Sequence, residues 1–337
     1  MSLRSFFPQL ISSRIIGGLK NVLRSEVRLK SQSQTKSTRM PTFYIPHGGG
    51  PCFFMDWPEA MGGPETWKNM AAWLGHLPEL VGARPEAIVV ISGHWEEPEF
   101  TVNSGGLDPP GSMISRAPLT GASGALSFRR PGGPFVPLLF DYYGFPEHTY
   151  QLEYPAPGSP ELAREICGLL EDSGIRAGKD PERGFDHGVF IPFKVIYPEA
   201  DIPIVQLSLK EGLDPAEHIA AGRAIAPLRE RGVLIVGSGM SYHNLREMGR
   251  DVRVISDQFD AWLTDAVCAP TAAARAERLS RWQQAPGARR AHPREEHLIP
   301  LMVAAGAGGK DLGRKVFTDY VLGTTVSAFQ FGDSRRD

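Results

Sequence analysis

Cysteine is scarce in this chain: Cys52, Cys167 and Cys268 are the only three in 337 residues, widely separated and with no CxxC pair. That excludes a disulfide framework and a thiolate zinc site, and it implies a reducing compartment. Each cysteine reads as a small buried apolar residue. Long apolar runs are missing too: no stretch approaches the roughly 18–20 apolar residues that a membrane-spanning helix needs, so no membrane partner is expected. The body also lacks basic runs. Residues 1–40 carry five Arg and three Lys against the single acid Glu26, a net of +7, so within a total of −2 residues 41–337 stand at −9. Phosphate binding needs clustered Lys and Arg, so no nucleic acid is expected and small molecules fit better as partners.

What is present divides the chain in three. Residues 1–40 hold eight Ser, and Phe7, Ile11, Ile15, Leu19 and Leu23 recur every fourth position with Arg14, Lys20 and Arg24 between them. An amphipathic, basic, Ser-rich, acid-poor N-terminus is the composition of a mitochondrial transit peptide; the alternatives are a disordered tail or an extension upstream of a start at Met40, with a cytoplasmic protein. Residues 41–330 form the expected domain, and 331–337 a C-terminal tail. With 42% hydrophobic residues the body can build a large core.

Within that body, short β-branched apolar runs alternate with amphipathic ones. The runs Thr42–Pro46, Ala87–Ser92, Ile202–Leu209 and Val233–Gly237 read as strands buried on both faces. Helices are expected over Pro64–Leu80, Ser159–Glu171, Asp214–Arg231, Ser256–Val267 and Glu295–Ala305, with Ser159 and Asp214 placed as caps before a proline. The Gly/Pro-rich stretch 103–134 reads as a long loop with one short strand. The fold class is α/β: a single domain whose central, largely parallel or mixed sheet is flanked by helices.

Three of the nine histidines directly follow strand-like runs: His47 after Thr42–Pro46, His94 after Ile88–Gly93, and His243 shortly after Val233–Gly237. Glycines flank all three, at 48–50, 93, 237 and 239, and permit close approach of the backbone to a ligand. In open α/β sheets the ligand site lies outside the carboxyl ends of the strands, so these imidazoles converge there and can hold Zn(II) or Fe(II) with positions left open. His187, with Asp186 as its immediate neighbour, suits general acid/base work, a further metal ligand being the competing role. His297 is expected to line the pocket, His76 and His218 to lie on solvated helix faces, and His148 on the surface or a pocket rim.

Taken together, His47-Gly-Gly-Gly-Pro, Ser92-Gly-His94-Trp-Glu, Tyr154-Pro-Ala-Pro-Gly158, Asp186-His187-Gly, Tyr197-Pro-Glu-Ala-Asp-Ile-Pro203, Gly237-Ser-Gly-Met-Ser-Tyr-His243-Asn-Leu and His292-Pro-Arg-Glu-Glu-His297 occur in an order that resembles the DOPA 4,5-dioxygenase type of the class III extradiol ring-cleavage dioxygenases, over about 41–330. The resemblance implies an oxidoreductase of aromatic compound metabolism that opens a catechol ring with O2 and yields a semialdehyde acid. It implies one mononuclear non-haem divalent metal, Fe(II) for ring cleavage with Zn(II) as the other candidate, held by His47, His94 and His243, with His187 as acid/base. His297, Asp186 and Tyr242 are substrate-side candidates, and Arg294, Arg129 and Arg130 are candidate partners for a substrate carboxylate. Two other classes stay open: a zinc hydrolase, since three imidazoles and an open position also activate water, and a non-catalytic metal-binding interaction protein on the same fold.

Overall fold

The computed structural model describes residues 38–105, 126–128, 135–247 and 249–333. Ten strands lie among them: β1 (Thr42–Pro46), β2 (Ala87–Glu97), β3 (Phe100–Asn103), β4 (Leu126–Phe128), β5 (Leu138–Phe140), β6 (Ala177–Asp180), β7 (Ile204–Lys210), β8 (Val233–Gly239), β9 (Gly313–Val321) and β10 (Thr324–Phe331). Eight of these form one sheet in the order β6-β3-β7-β2-β8-β1-β10-β9, and β4 pairs with β5 separately. The centre, β7-β2-β8-β1, is wholly parallel. β10 adds to β1 antiparallel and β9 to β10 likewise, so the sheet is mixed.

The parallel centre forms because its runs are apolar on both faces. Ile88 and Val90 pack into one core layer, with helices α1 (Lys68–Gly75) and α2 (Leu77–Val81), while Val89 and Ile91 pack into the other, with α3 (Pro160–Asp172). Helix α4 (His187–Ile196) joins the first layer; α5 (Pro215–Ile225), α6 (Arg253–Val267) and α9 (Ile299–Ala307) join the second, with α7 (Ala272–Ser280) and the short α8 (Ala288–Ala291) beside them. Burying an aliphatic side chain fully contributes about 1.5–3 kcal/mol, so this two-sided core is the main support of the strand ends.

Local chemistry sets the helix limits. Ser159 Oγ accepts from Leu162 N at 3.2 Å and Asp214 Oδ1 from Ala216 and Glu217 N at 2.8 and 2.9 Å, the caps expected from the sequence. Prolines shorten what the periodicity had joined. Pro78 has no N–H, and the expected helix Pro64–Leu80 is two, α1 and α2; Pro227 likewise ends α5 at Ile225, leaving a 3₁₀ segment Ala226–Arg231. The last helix begins at Ile299 rather than Glu295, one residue before Pro300.

Residues flanking 41–330 pack on the same body. Met40 is buried, with its N–H on Arg229 O, and Arg39 pairs with Glu230 and Asp311. At the other end Phe331 closes β10 and is fully buried, and Asp333 pairs with Arg314. The β9–β10 hairpin turns through Leu322 and Gly323, both at positive φ (50° and 87°), as a two-residue type I′ turn requires. A Cβ on Gly323 would fall 1.8 Å from Arg250 O, so only glycine fits this clasp.

Candidate metal centre

Four segments deliver histidines to one end of the parallel strands. His47 follows β1 directly. His94 sits inside β2, where the register with β7 jumps from Ile91–Leu207 to Glu96–Leu209; the extra residues on β2 form a bulge that carries the imidazole out of the ladder. His187 is the first residue of α4, whose N-cap is Asp186. His297 lies just before α9, its carbonyl held by Tyr44 Oη at 2.7 Å and Met240 N at 3.1 Å. Gly239, at the end of β8, permits that approach, because a Cβ there would sit 2.0 Å from His297 O.

The nitrogens of His47, His94 and His297 lie within 4.8 Å of one another. His94 Nε2 is 3.2 Å from His47 Nε2 and 3.1 Å from His297 Nε2. Their other nitrogens are engaged elsewhere. His47 Nδ1 meets Ser238 Oγ at 3.0 Å, and that hydroxyl donates onward to Gly188 O, so His47 Nδ1 carries the proton and donates it. His297 Nδ1 donates to Glu296 Oε1 at 2.9 Å, and His94 Nδ1 faces Asp141 Oδ2 at 3.4 Å. The Nε2 atoms of His47 and His297 are therefore bare and both face His94 Nε2; with the His94 proton on Nδ1, towards Asp141, all three lone pairs are open to one cation. Ligands about 2.0–2.1 Å from one tetrahedral ion stand about 3.3 Å apart, so the donor set fits a divalent metal.

His243 arrives differently. Its ring stacks on that of His297, centroids 3.5 Å apart, and its Nδ1 is 3.3 Å from the same Glu296 Oε1. Beside the fixed pair His47 and His94 there are thus two stacked rings for the third position, His243 and His297, sharing one carboxylate. His187 occupies the opposite corner, centroid 3.9 Å from His94, its Nδ1 donating to Asp141 Oδ1 at 2.8 Å and its backbone N–H to the same oxygen at 2.9 Å.

The electrostatics divide these rings. Burial, then the neighbouring imidazoles, push His47 and His297 well below the usual histidine value; burial and His187 bring His94 down to about 4. Burial also opposes charge on His187, but Asp141, by charge and hydrogen bond, outweighs it and the ring titrates above its usual value. Burial is likewise overcome at Asp141 itself, which His187 and His94 hold below the carboxylate range.

The remaining expectations fall variously. Tyr242 lines the cavity, with its hydroxyl on Glu247 at 2.6 Å. Asp186 is fully buried and does not line it; Ser92, Arg183 and Gln206 take up its carboxylate. The partner of His187 is instead Asp141, which no motif singled out. Consecutive residues at a helix start point in different directions, so the sequence neighbour was the wrong carboxylate. Arg294 is bound to Glu96 through both nitrogens and does not line the cavity, and Arg129 and Arg130 lie outside the described residues. His76 and His148 are exposed, but His218 is fully buried: its Nε2 accepts from Lys210 N at 3.1 Å and its Nδ1 donates to Asp214 O at 2.7 Å, closing the end of β7.

Residues 41–330 match the family described as the catalytic LigB subunit of aromatic ring-opening dioxygenase. The chain is 34% identical over 275 residues to the 4,5-DOPA dioxygenase extradiol of Beta vulgaris, covering 80% of this chain and 87% of that protein. It is 34% identical over 324 residues to dioxygenase tasH of Hapsidospora irregularis, covering 88% of each. Among solved structures, the uncharacterized protein JW3007 from Escherichia coli K12 superposes with a TM-score of 0.60 at 25% identity, covering 87% of this chain and all of that one. With its mixed α/β sheet and its histidine cluster at the strand ends, this chain belongs to the LigB family, as a metal-dependent extradiol ring-cleaving dioxygenase of the DOPA-dioxygenase type.

Proposed function

We propose that the chain opens a catechol at a single divalent metal held by His47, His94 and a third imidazole, with His187 moving the protons. The observation that supports this most directly is the convergence of the Nε2 atoms of His47, His94 and His297 at 3.1–3.2 Å while Ser238, Asp141 and Glu296 face their Nδ1 atoms. The motif order gives the third place to His243 and the distances favour His297; the one whose alanine variant empties the site of metal is the ligand. The metal, Fe(II) for ring cleavage or Zn(II) in a resting site, supplies the electronic path between catechol and O2.

The chain's own groups do the rest. His187 donates Nδ1–H to Asp141, so its Nε2 is free to accept a phenolic proton, and Asp141 stabilises the imidazolium that results. The same ring returns the proton as the C–C bond beside the diol is cleaved and both oxygen atoms enter the semialdehyde acid. Ring opening is tested by anaerobic reconstitution with Fe(II), then air and a panel of catechols, following O2 uptake and the yellow product. Absence of uptake with every catechol would overturn the reading and return weight to a hydrolase. We further propose that the basic N-terminal segment directs import into mitochondria; a reporter fused to it that stays diffuse in the cytosol would refute this.

A further inference from the structure

A cavity of about 810 Å³ opens above the histidines. Sites for drug-sized ligands run to about 300–1,000 Å³, so there is room for far more than a bare dihydroxybenzene ring. The walls are carbon: Trp57, Trp67, Tyr142, Phe145, Met240 and Leu245. Their polar atoms are mostly spent on the protein. Trp57 Nε1 donates to Met61 O at 2.9 Å and Tyr142 Oη to Thr149 O at 2.6 Å. Trp67 Nε1 is buried without a partner, a neutral donor that suits a carbonyl or ether oxygen but cannot neutralise a carboxylate.

Charge points the same way. Among the described residues no Lys or Arg lines the cavity, and the one carboxylate that does, Asp56, is exposed at its edge. A carboxylate substituent would be stripped of water against aromatic faces and placed near a like charge, which costs several kcal/mol unless a cation pairs with it. Met61 and Leu245 are exposed, 39% and 66%, and both line this cavity. A bound apolar group would cover them.

We propose, resting on the ring-opening reading above, that the physiological substrate is a catechol bearing an uncharged apolar substituent, and that the site disfavours the zwitterionic side chain of an amino acid. The test uses the full chain loaded with Fe(II) and compares kcat/KM for 4-butylcatechol, catechol and L-DOPA. Each methylene that leaves water is worth roughly a fourfold gain, so 4-butylcatechol should exceed L-DOPA on the order of 10²-fold. Quenching of tryptophan fluorescence under nitrogen, reporting on Trp57 and Trp67, should rank binding in the same order. Leu245→Arg, at an exposed position, should narrow the ratio by about tenfold by giving a carboxylate its cation. L-DOPA turned over as well as 4-butylcatechol would overturn the proposal while leaving ring cleavage intact. If no catechol is cleaved, ring opening itself fails and the fluorescence ranking decides alone: tighter binding of 4-butylcatechol upholds the apolar preference, tighter binding of L-DOPA removes it.

Discussion

The site has two corners built from the same parts, a carboxylate behind two imidazoles, yet one ring from each, His187 and His297, behaves in the opposite way. At one, Asp141 faces His94 and His187; at the other, Glu296 faces His243 and His297. His187 is raised above its ordinary value while His297 is driven far below. Neither burial nor the presence of an acid distinguishes them. His187 takes both a side-chain and a backbone bond to one oxygen of Asp141, whereas His297 is stacked on a second imidazole and faces a third. His187 is therefore tuned to carry a proton and His297 to stay neutral and offer a lone pair, which is the division that metal-assisted oxidation with proton transfer needs.

The largest expected effect comes from His94, which touches both corners. His94→Ala should leave a folded protein with no bound metal by elemental analysis and turnover at background; full metal content would separate the histidine cluster from the metal. Next comes His187→Phe, which should retain metal while kcat falls by about 10² to 10⁴, the usual worth of a placed proton-transfer group. Loss of metal in that variant would make the two corners alike. A finer contrast lies in the carboxylates: Glu296→Gln should weaken metal binding by about 10- to 100-fold, whereas Asp141→Asn should hold metal more nearly and lose turnover instead, as titration against a competing chelator and kcat at saturating Fe(II) would show.

The effect furthest from the metal concerns His218, a buried histidine with no carboxylate hydrogen-bonded to its ring, whose burial lowers it to about 4. Its folded value lies below the unfolded value near 6.5, so its contribution is complete above pH 6.5 and is lost as pH falls towards 4. That amounts to about 2–3 kcal/mol by pH 4.5. Urea unfolding of wild type and His218→Gln at pH 7 and 4.5 checks it: the variant should lose less stability on acidification.

The parallel centre of the sheet was legible because each run, such as Val233–Gly239, is apolar on both faces and β-branched. Five strands went unread: β3, β5 and β10 are buried but short or interrupted by polar residues, and β6 and β9 lack that signature altogether. β6 is Ala-Gly-Lys-Asp and partly exposed throughout, and β9 is buried only at its two ends, with half-buried and exposed residues between them. The hairpin of β9 and β10 did leave one mark, the Leu322-Gly323 pair between two runs containing Val, Thr and Phe. His47 and His94 could be placed because strand ends are where sites form. Asp141 could not, since its partner is 46 residues away, though a single acid between buried Phe140 and Tyr142 was a detectable oddity. Glu296 stood in a quoted motif, but its role needs two rings that the chain brings from 243 and 297.

Leu322 is where the backbone and the ligand want different residues. Its positive φ suits glycine or asparagine, and a branched side chain there costs about 1–2 kcal/mol, yet the same side chain lines the cavity. A library randomised at position 322 and selected only for heat resistance should drift to Gly or Asn. The same library selected for turnover of an apolar catechol should return leucine, so the codon at the tip of one hairpin records which pressure the enzyme has answered to.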